Sequence, residues 1–366
     1  MYKKGVQILS SVLFICMLLS GCGSKPTTEV TTAPTLENFN NEIVVSSTDV
    51  ESDKSISNSV ESDTTDINDS EDITQGDLSQ ITVKFIDVGQ ADSCLIVTAN
   101  NDAILIDAGE SSDASEILDV LNAFGLEDID LMVLTHPHKD HIGGAKTILE
   151  NYKVEEVLMS SYVTNTKVFE NLLDTMESQD LLVTQATVGK EYNIDGLEIT
   201  VVGVDSVNNN NDSSVVLKIT YGTVDMLFTG DAEEGAEKVI LQNGFDLSAE
   251  ILKVGHHGSD TSTSVSFLDA ISPKLAVISC GAGNKYGHPA DITLEKFKDR
   301  NITYYRTDEF GTITLEIDGE NIITSFEDSF EMQNAKMGTF LYAPNVAEVE
   351  LEVEEKVVEQ FSQNNK

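Results

Sequence analysis

Three of the chain's six histidines fall within six residues of one another, in Thr135-His136-Pro137-His138-Lys139-Asp140-His141-Ile142-Gly143-Gly144. The run follows directly on Leu131-Met132-Val133-Leu134, an apolar stretch that reads as a short buried strand. Alternate side chains of extended backbone point the same way, so His136 and His138 leave the strand end side by side and can share one ion. The chain then turns into a helix, which sets Asp140 and His141 at a neighbouring position. Imidazole nitrogens together with carboxylate oxygens suit zinc, manganese or iron. A lone histidine reads as a satisfied core or surface residue; three with an aspartate at this spacing have no comparable bland reading. Any fold for this chain has to wrap a strand end, a turn and a helix start around metal.

The other histidines, His256, His257 and His288, also stand at strand ends or in the turns after them. Around them, from residue 80 onward, short β-rich runs alternate with amphipathic segments. Strands are expected at 81–86, 93–97, 103–106, 131–134, 197–203, 215–221, 224–229, 250–254, 275–280 and 312–317. Helices are expected at 115–124, closed by Gly125, and near 144–152, 165–177, 232–243, 264–271 and 292–299. Such alternation favours a layered α/β domain, and its two similar halves suggest two sheets with helices outside. Hydrophobic residues make up 40% of the chain, enough for that core.

Other residues near strand ends admit two readings. Asp231, after an apolar run ending in Thr229-Gly230, either bridges two ions or caps the helix that follows. His256 and His257 are adjacent, so their side chains diverge and one of them binds metal; His257 is favoured, with His256 facing substrate. His288 sits in a rigid Gly287-His288-Pro289 turn and is either structural or in contact with substrate or its leaving group. Cys94 and Cys280 lie in apolar runs and read as small buried hydrophobes, although sequence leaves their pairing open.

The motif His-x-His-x-Asp-His-x-Gly-Gly resembles that of the metallo-β-lactamase fold, and further blocks match in order. Asp107-Ala108-Gly109 is similar to the family's early Asp-x-Gly, Thr229-Gly230-Asp231-Ala232 to its bridging aspartate, and Lys253-Val254-Gly255-His256-His257-Gly258-Ser259 to its last histidine motif. Phe85-Ile86-Asp87-Val88-Gly89-Gln90-Ala91-Asp92-Ser93, Asn211 to Leu217, Tyr286-Gly287-His288-Pro289 and Tyr305-Arg306-Thr307-Asp308 resemble the hydrolase-like C-terminal domain of ComEC-type competence proteins. The resemblance implies an αββα sandwich over residues 80–329 and two divalent ions, zinc foremost, with manganese or iron as alternatives. It implies that His136, His138, Asp140, His141, Asp231 and His257 hold them and that Asp107 supports the metal loop. Asp140, His256 and His288 would serve catalysis. One departure stands out. Many relatives place another histidine between the main cluster and the bridging aspartate, whereas this chain has none between 142 and 255. Asp212 or Asn211 could supply an oxygen there, or the Asn208–Asn211 run is a plain polar turn. The implied reaction is hydrolysis by a hydroxide bridging the two ions, on a phosphodiester in nucleic acid or an envelope polymer. A thioester or lactam substrate, or a non-catalytic surface receptor, are the alternatives.

The ends of the chain and its charge bound where that chemistry happens. Lys3 and Lys4 precede a short apolar run, and Leu19-Ser20-Gly21-Cys22 resembles the lipobox of bacterial lipoproteins. That resemblance implies a signal over residues 1–22, a lipid on Cys22 and an extracytoplasmic domain held at the cell membrane. Residues 23–79 read as a disordered acidic tether, being poor in large apolar side chains. Residues 330–366 form an acidic tail without an assigned structure. The formal net charge of −41 excludes a basic nucleic-acid-binding module and argues against tight binding of a polyanion.

Overall fold

The strands from Ile81 onward are short and apolar on both faces, which is the pattern of sheets covered on both sides rather than of a half-solvated sheet. A computed structural model describes residues 79–204, 209–326 and 340–342. The expected signal, lipid site at Cys22 and acidic tether, and nearly all of the acidic tail, lie outside the described residues. No helix among the described residues is long and apolar enough to cross a membrane.

The first half supplies β1 (Ile81–Phe85), β2 (Cys94–Val97), β3 (Ala103–Ile106), β4 (Asp128–Leu134), β5 (Lys153–Met159) and β6 (Leu182–Gln185). The second supplies β7 (Glu191–Ile194), β8 (Leu197–Gly203), β9 (Val216–Tyr221), β10 (Val224–Phe228), β11 (Ile251–Lys253), β12 (Leu275–Ile278) and β13 (Thr303–Arg306). The chain then returns with β14 (Ile313–Ile317), β15 (Ile322–Phe326) and β16 (Phe340–Tyr342). One sheet runs β16-β15-β14-β1-β2-β3-β4-β5-β6 and the other β13-β12-β11-β10-β9-β8-β7. Each is antiparallel through one part and parallel through the other: β3 to β6 pair in parallel, as do β10 to β13.

Alternation along the strands sorts the core into layers. Ile81, Val83 and Phe85 of β1 and Leu131 and Val133 of β4 face the other sheet, where Phe85 stacks on Phe228 at 6.0 Å. Leu105, Met132 and Leu134 face outward under the helices Ala114–Phe124, Ala145–Asn151 and Lys167–Ser178. Leu227, Leu252 and Ala276 do the same under Glu234–Ile240, Val265–Ile271 and Asp291–Asp299. The result is the expected αββα sandwich. Gly125 ends its helix at φ 68°, a left-handed value glycine adopts freely.

The structure adds strands that periodicity did not reveal. β5 opens with Lys153, Glu155 and Glu156, and β6 and β7 are partly exposed, so their apolar signal is diluted. Within the otherwise unassigned tail, Phe340–Tyr342 pairs with β15 as an edge strand.

The parallel strands matter most for chemistry. β3, β4, β10, β11 and β12 all deliver their carboxyl ends to one region, the place where open α/β sheets bind ligands. Asp107, His136, Asp231, His257 and Ser279 are each within a few residues of those ends.

Candidate metal centre

The metal loop is held from beneath by Asp107. At φ 59° it turns its buried carboxylate back toward β4. Thr135 donates from N to Oδ1 at 2.8 Å and from Oγ1 to Oδ2 at 2.7 Å, and His141 Nδ1 lies 2.7 Å from Oδ2. A carboxylate on one ring nitrogen fixes the tautomer and leaves the other, Nε2, for an ion. Burial pushes the Asp107 carboxyl up, with His141 pulling against it. The glycines that close the motif permit this packing. A Cβ on Gly143 would come within 2.6 Å of Ser111 N, and one on Gly144 would press into the Ala108 carbonyl.

His136 leaves the end of β4 fully buried, its Nδ1 facing Thr135 Oγ1 at 3.2 Å and Ser214 Oγ at 3.3 Å. Its Nε2 is 2.9 Å from His138 Nδ1. Burial, with His141 adding to it, holds His136 well below the usual imidazole range, and therefore neutral as a ligand must be. His138 is the cap residue of the helix Lys139–Ile142, and Asn210 Nδ2 supports its far nitrogen at 2.9 Å. That helix carries Asp140 and His141 to the second position.

The second half of the sandwich brings Asp231 and His257. Asp231 follows Gly230, which is itself left-handed at φ 51°, and its N donates to Ser214 Oγ at 2.9 Å. Asp231 Oδ1 lies 3.3 Å from His141 Nε2, and Oδ2 lies 3.6 Å from His136 Nε2 and 3.9 Å from His257 Nε2. His256 and His257 adopt φ values of 47° and 53° in succession, strain of about 1–3 kcal/mol each that persists only where the surroundings enforce it. The turn aims His257 inward: Nδ1 meets the Ser279 carbonyl at 3.0 Å, and Nε2 stands 3.5 Å from Asp140 Oδ2. His256 points to the rim, with Nδ1 3.1 Å from Glu233 Oε1 and Nε2 3.9 Å from Asp231 Oδ2. His257 thus enters the cluster and His256 does not.

Whether these residues fit metal can be read from what they lack. His141 Nε2, His257 Nε2 and Asp231 Oδ1 are buried without a hydrogen-bond partner. They face one another without hydrogen-bond geometry, His141 Nε2 3.3 Å from Asp231 Oδ1 and His257 Nε2 3.9 Å from Asp231 Oδ2, as donors to a shared cation would. Donor separations of 2.9 to 3.9 Å match ligands around an ion with bonds of roughly 2.0–2.2 Å. The donors fall into two sets, His136 with His138 and Asp140 with His141 and His257, and Asp231 stands between them. Four carboxylates, Asp92, Asp107, Asp140 and Asp231, stand against one ammonium, Lys253, and their negative field overrides burial to raise His141 above the usual imidazole range and His257 to about 10, the same attraction that a divalent cation would meet. The residues fit divalent cations.

Asp212 is a correction to the sequence reading. Its Oδ1 accepts from Glu233 N at 3.2 Å and Ala236 N at 3.3 Å, and its Oδ2 accepts from Asn209 Nδ2 at 2.9 Å. The carboxylate faces the first turn of Glu234–Ile240, and Asp212 is in none of the donor groups that the described residues bring together. Helix capping, the alternative role for Asp231, falls to Asp212 instead, which frees Asp231 for the cluster.

Three supports were not read as such from the sequence. Asp92 is buried and accepts from Lys253 Nζ at 2.6 Å, while its Oδ1 is 3.3 Å from His257 Nδ1. Burial opposes its ionisation, but the Lys253 ammonium and His257 hold its carboxyl below the usual range. Ser214 ties His136 to Asp231, and Glu233 steadies His256. A lysine within Ile251-Leu252-Lys253-Val254 was the available signal, because a cation in a buried strand needs an anion. Cys94 and Cys280 are both buried and free, not paired. Burial, with Asp308 beside it, pushes the Cys280 thiol up to about 12.

His288 completes the rim. Its ring lies 5.3 Å from that of His256 and 6.4 Å from that of His257, and its Nδ1 is buried without a partner.

Residues 86–282 match the Metallo-beta-lactamase superfamily. ComE operon protein 3 of Bacillus subtilis (strain 168) is 30% identical over 250 residues, covering 63% of this chain and 32% of that protein. Recombination protein 2 of Haemophilus influenzae is 30% identical over 264 residues, covering 69% and 30%. The chain therefore spans about a third of the length of these relatives. Igni18, described as a novel metallo hydrolase from Ignicoccus hospitalis KIN4/I, overlays at TM-score 0.42 and 17% identity, covering 64% of this chain and 98% of its own. The overlay at that distance bears on neither chemistry nor substrate. With its two covered sheets, its donor cluster at the strand ends and a match across more than half its length, the chain belongs to the Metallo-beta-lactamase superfamily.

Proposed function

We propose that the chain is a metal-dependent phosphodiesterase, displayed outside the cell membrane through a lipid on Cys22. The observation that carries the hydrolytic reading is the convergence of unpartnered His141 Nε2, His257 Nε2 and Asp231 Oδ1 below a rim of His138, Asp140, His256 and His288. His136, His138, Asp140, His141, Asp231 and His257 would hold two divalent ions there, zinc foremost, which would supply polarisation of a phosphoryl oxygen and a water of near-neutral pKa. The chain's own residues do the rest. Asp140 Oδ2, 3.5 Å from His257 Nε2, offers a carboxylate oxygen beside that imidazole on the open side, while the Ser279 carbonyl orients the ring through Nδ1. His256 is anchored through Nδ1–H by Glu233, and as the imidazolium it can give its Nε2 proton to a leaving oxygen and return to the neutral ring. His288, against His256, narrows the same side of the mouth.

Charge supports a phosphodiester over a neutral bond. With neutral imidazoles the four aspartates and Lys253 carry a formal −3, which the charge of two divalent ions would offset, so that a phosphoryl oxygen could be held by the ions directly. An anion is then attracted locally although the chain as a whole repels polyanions. Relatives bearing the names competence protein and recombination protein make nucleic acid the first phosphodiester to try, ahead of an envelope polymer.

The test is turnover by the metal-loaded protein of bis(p-nitrophenyl) phosphate, single-stranded DNA and nitrocefin. Phosphodiester cleavage without nitrocefin cleavage is expected. Asp140→Ala should lower that cleavage at least about 100-fold with the fold intact by circular dichroism. Full activity in this variant at unchanged metal content, or nitrocefin turnover alone, would sink the reading.

A further inference from the structure

The loop that follows β12 presents an aromatic ring the fold does not use. Tyr286 is 58% exposed, the only aromatic among the large exposed hydrophobics of the described residues. Its ring stacks against His288 at 5.8 Å with planes 26° apart, and His288 in turn meets His256 at 5.3 Å. A path of rings therefore leads from solvent to the edge of the donor cluster.

The loop is built to hold that ring still. Gly281 N donates to Gln90 Oε1 at 3.0 Å. Asn284 Oδ1 accepts from both Tyr286 N and His288 N at 3.1 Å, while its Nδ2 donates to the carbonyls of Gly281 and His288. Ala290 N donates to the Gly258 carbonyl at 2.9 Å, seating the loop on the turn that aims His257. A cation stands at this ring in a chain with 22 basic and 63 acidic residues. Lys285 Nζ rests 5.0 Å from the centre of the Tyr286 ring, whereas exposed Lys139, between His138 and Asp140 in sequence, pairs with Glu110.

We infer that Tyr286 is a stacking platform for the nucleobase beside the scissile phosphodiester, with Lys285 contacting the flanking phosphate. The inference rests on the phosphodiesterase reading and narrows it to nucleotidyl substrates. A base that takes the Tyr286 face displaces the Lys285 ammonium from it, and the freed charge is then within reach of the phosphate next to that base. Stacking of this kind tolerates any base, because each has a π face. A single exposed ring stacks an unpaired base rather than one already stacked in a duplex, so the inference is confined to a short or single-stranded end.

Binding separates this inference from hydrolysis. Thymidine 5′-monophosphate and ribose 5-phosphate share a phosphate and differ by the base. In calorimetric titrations of the full-length metal-loaded protein, Tyr286→Ala should weaken the nucleotide about 10-fold and shift the sugar phosphate less than twofold. The chain contains no tryptophan, so Tyr286→Trp adds a single reporter whose emission the nucleotide, and not ribose 5-phosphate, should quench. Equal losses for both ligands in Tyr286→Ala, or no loss for either, would overturn the platform. Base-dependent binding without phosphodiester turnover would instead keep the platform and remove the phosphodiesterase.

Discussion

The floor of the candidate centre and its rim are built on different terms. On the floor, His136, His141, Asp231 and His257 are at most 2% exposed, and each has a second atom held by a named partner. Thr135 and Ser214 face His136, Asp107 holds His141, Ser214 holds the Asp231 backbone, and the Ser279 carbonyl holds His257. At the rim, His138, Asp140, His256 and His288 are partly exposed. The difference teaches a division of labour. A buried donor whose other side is fixed can only wait for an ion, since rearrangement would strand a polar group. A half-exposed donor keeps water as an alternative partner, so it can exchange ligands during turnover without that penalty.

Substitutions on the two tiers should fail differently. Asp231→Asn strikes the floor where both donor sets meet, and should cost about 1000-fold or more in turnover through loss of metal. Elemental analysis after dialysis checks it, and a variant that keeps its full metal complement would erase the distinction. Lys253→Met tests the layer beneath the floor. It leaves Asp92 as an uncompensated buried charge and should destabilise the fold by about 3–5 kcal/mol. Adding Asp92→Asn should recover most of that in urea melts, whereas a double variant as unstable as the single one would mean that the pair is not what Lys253 supplies. His256→Gln strikes the rim alone. Metal content and stability should stay put while turnover falls about 10- to 100-fold, an effect of the size general acid catalysis supplies. Metal loss in that variant would move His256 to the floor.

Much of this division was legible along the chain and some was not. The strand-end histidines stood out because each follows an apolar run, and the spacing of His136, His138, Asp140 and His141 already paired the donors. Asp231 was readable for the same reason, though its competing role as a helix cap was not excluded by its neighbours. Asp212 misled because a carboxylate in a polar turn looks the same whether it meets an ion or a helix terminus. Only the arrival of Glu234–Ile240 over that turn chose between them. Strands such as Lys153–Met159 and Leu182–Gln185 were hidden because charged or exposed positions interrupt their apolar signal.

Asp92 and Lys253 mark the boundary most clearly. They are 161 residues apart, in loops and strands from opposite halves, and no local pattern joins them. By itself the sequence determined which residues are chemically capable, where strands end and that the ends bear metal donors, because these depend on residue type and on spacing within a few positions. The tertiary structure alone decided which donors are buried, which second atoms hold them, and that His257 rather than His256 faces inward. Those depend on two sheets meeting across long loops, and the energy of a buried polar contact exists only once that meeting has removed the water.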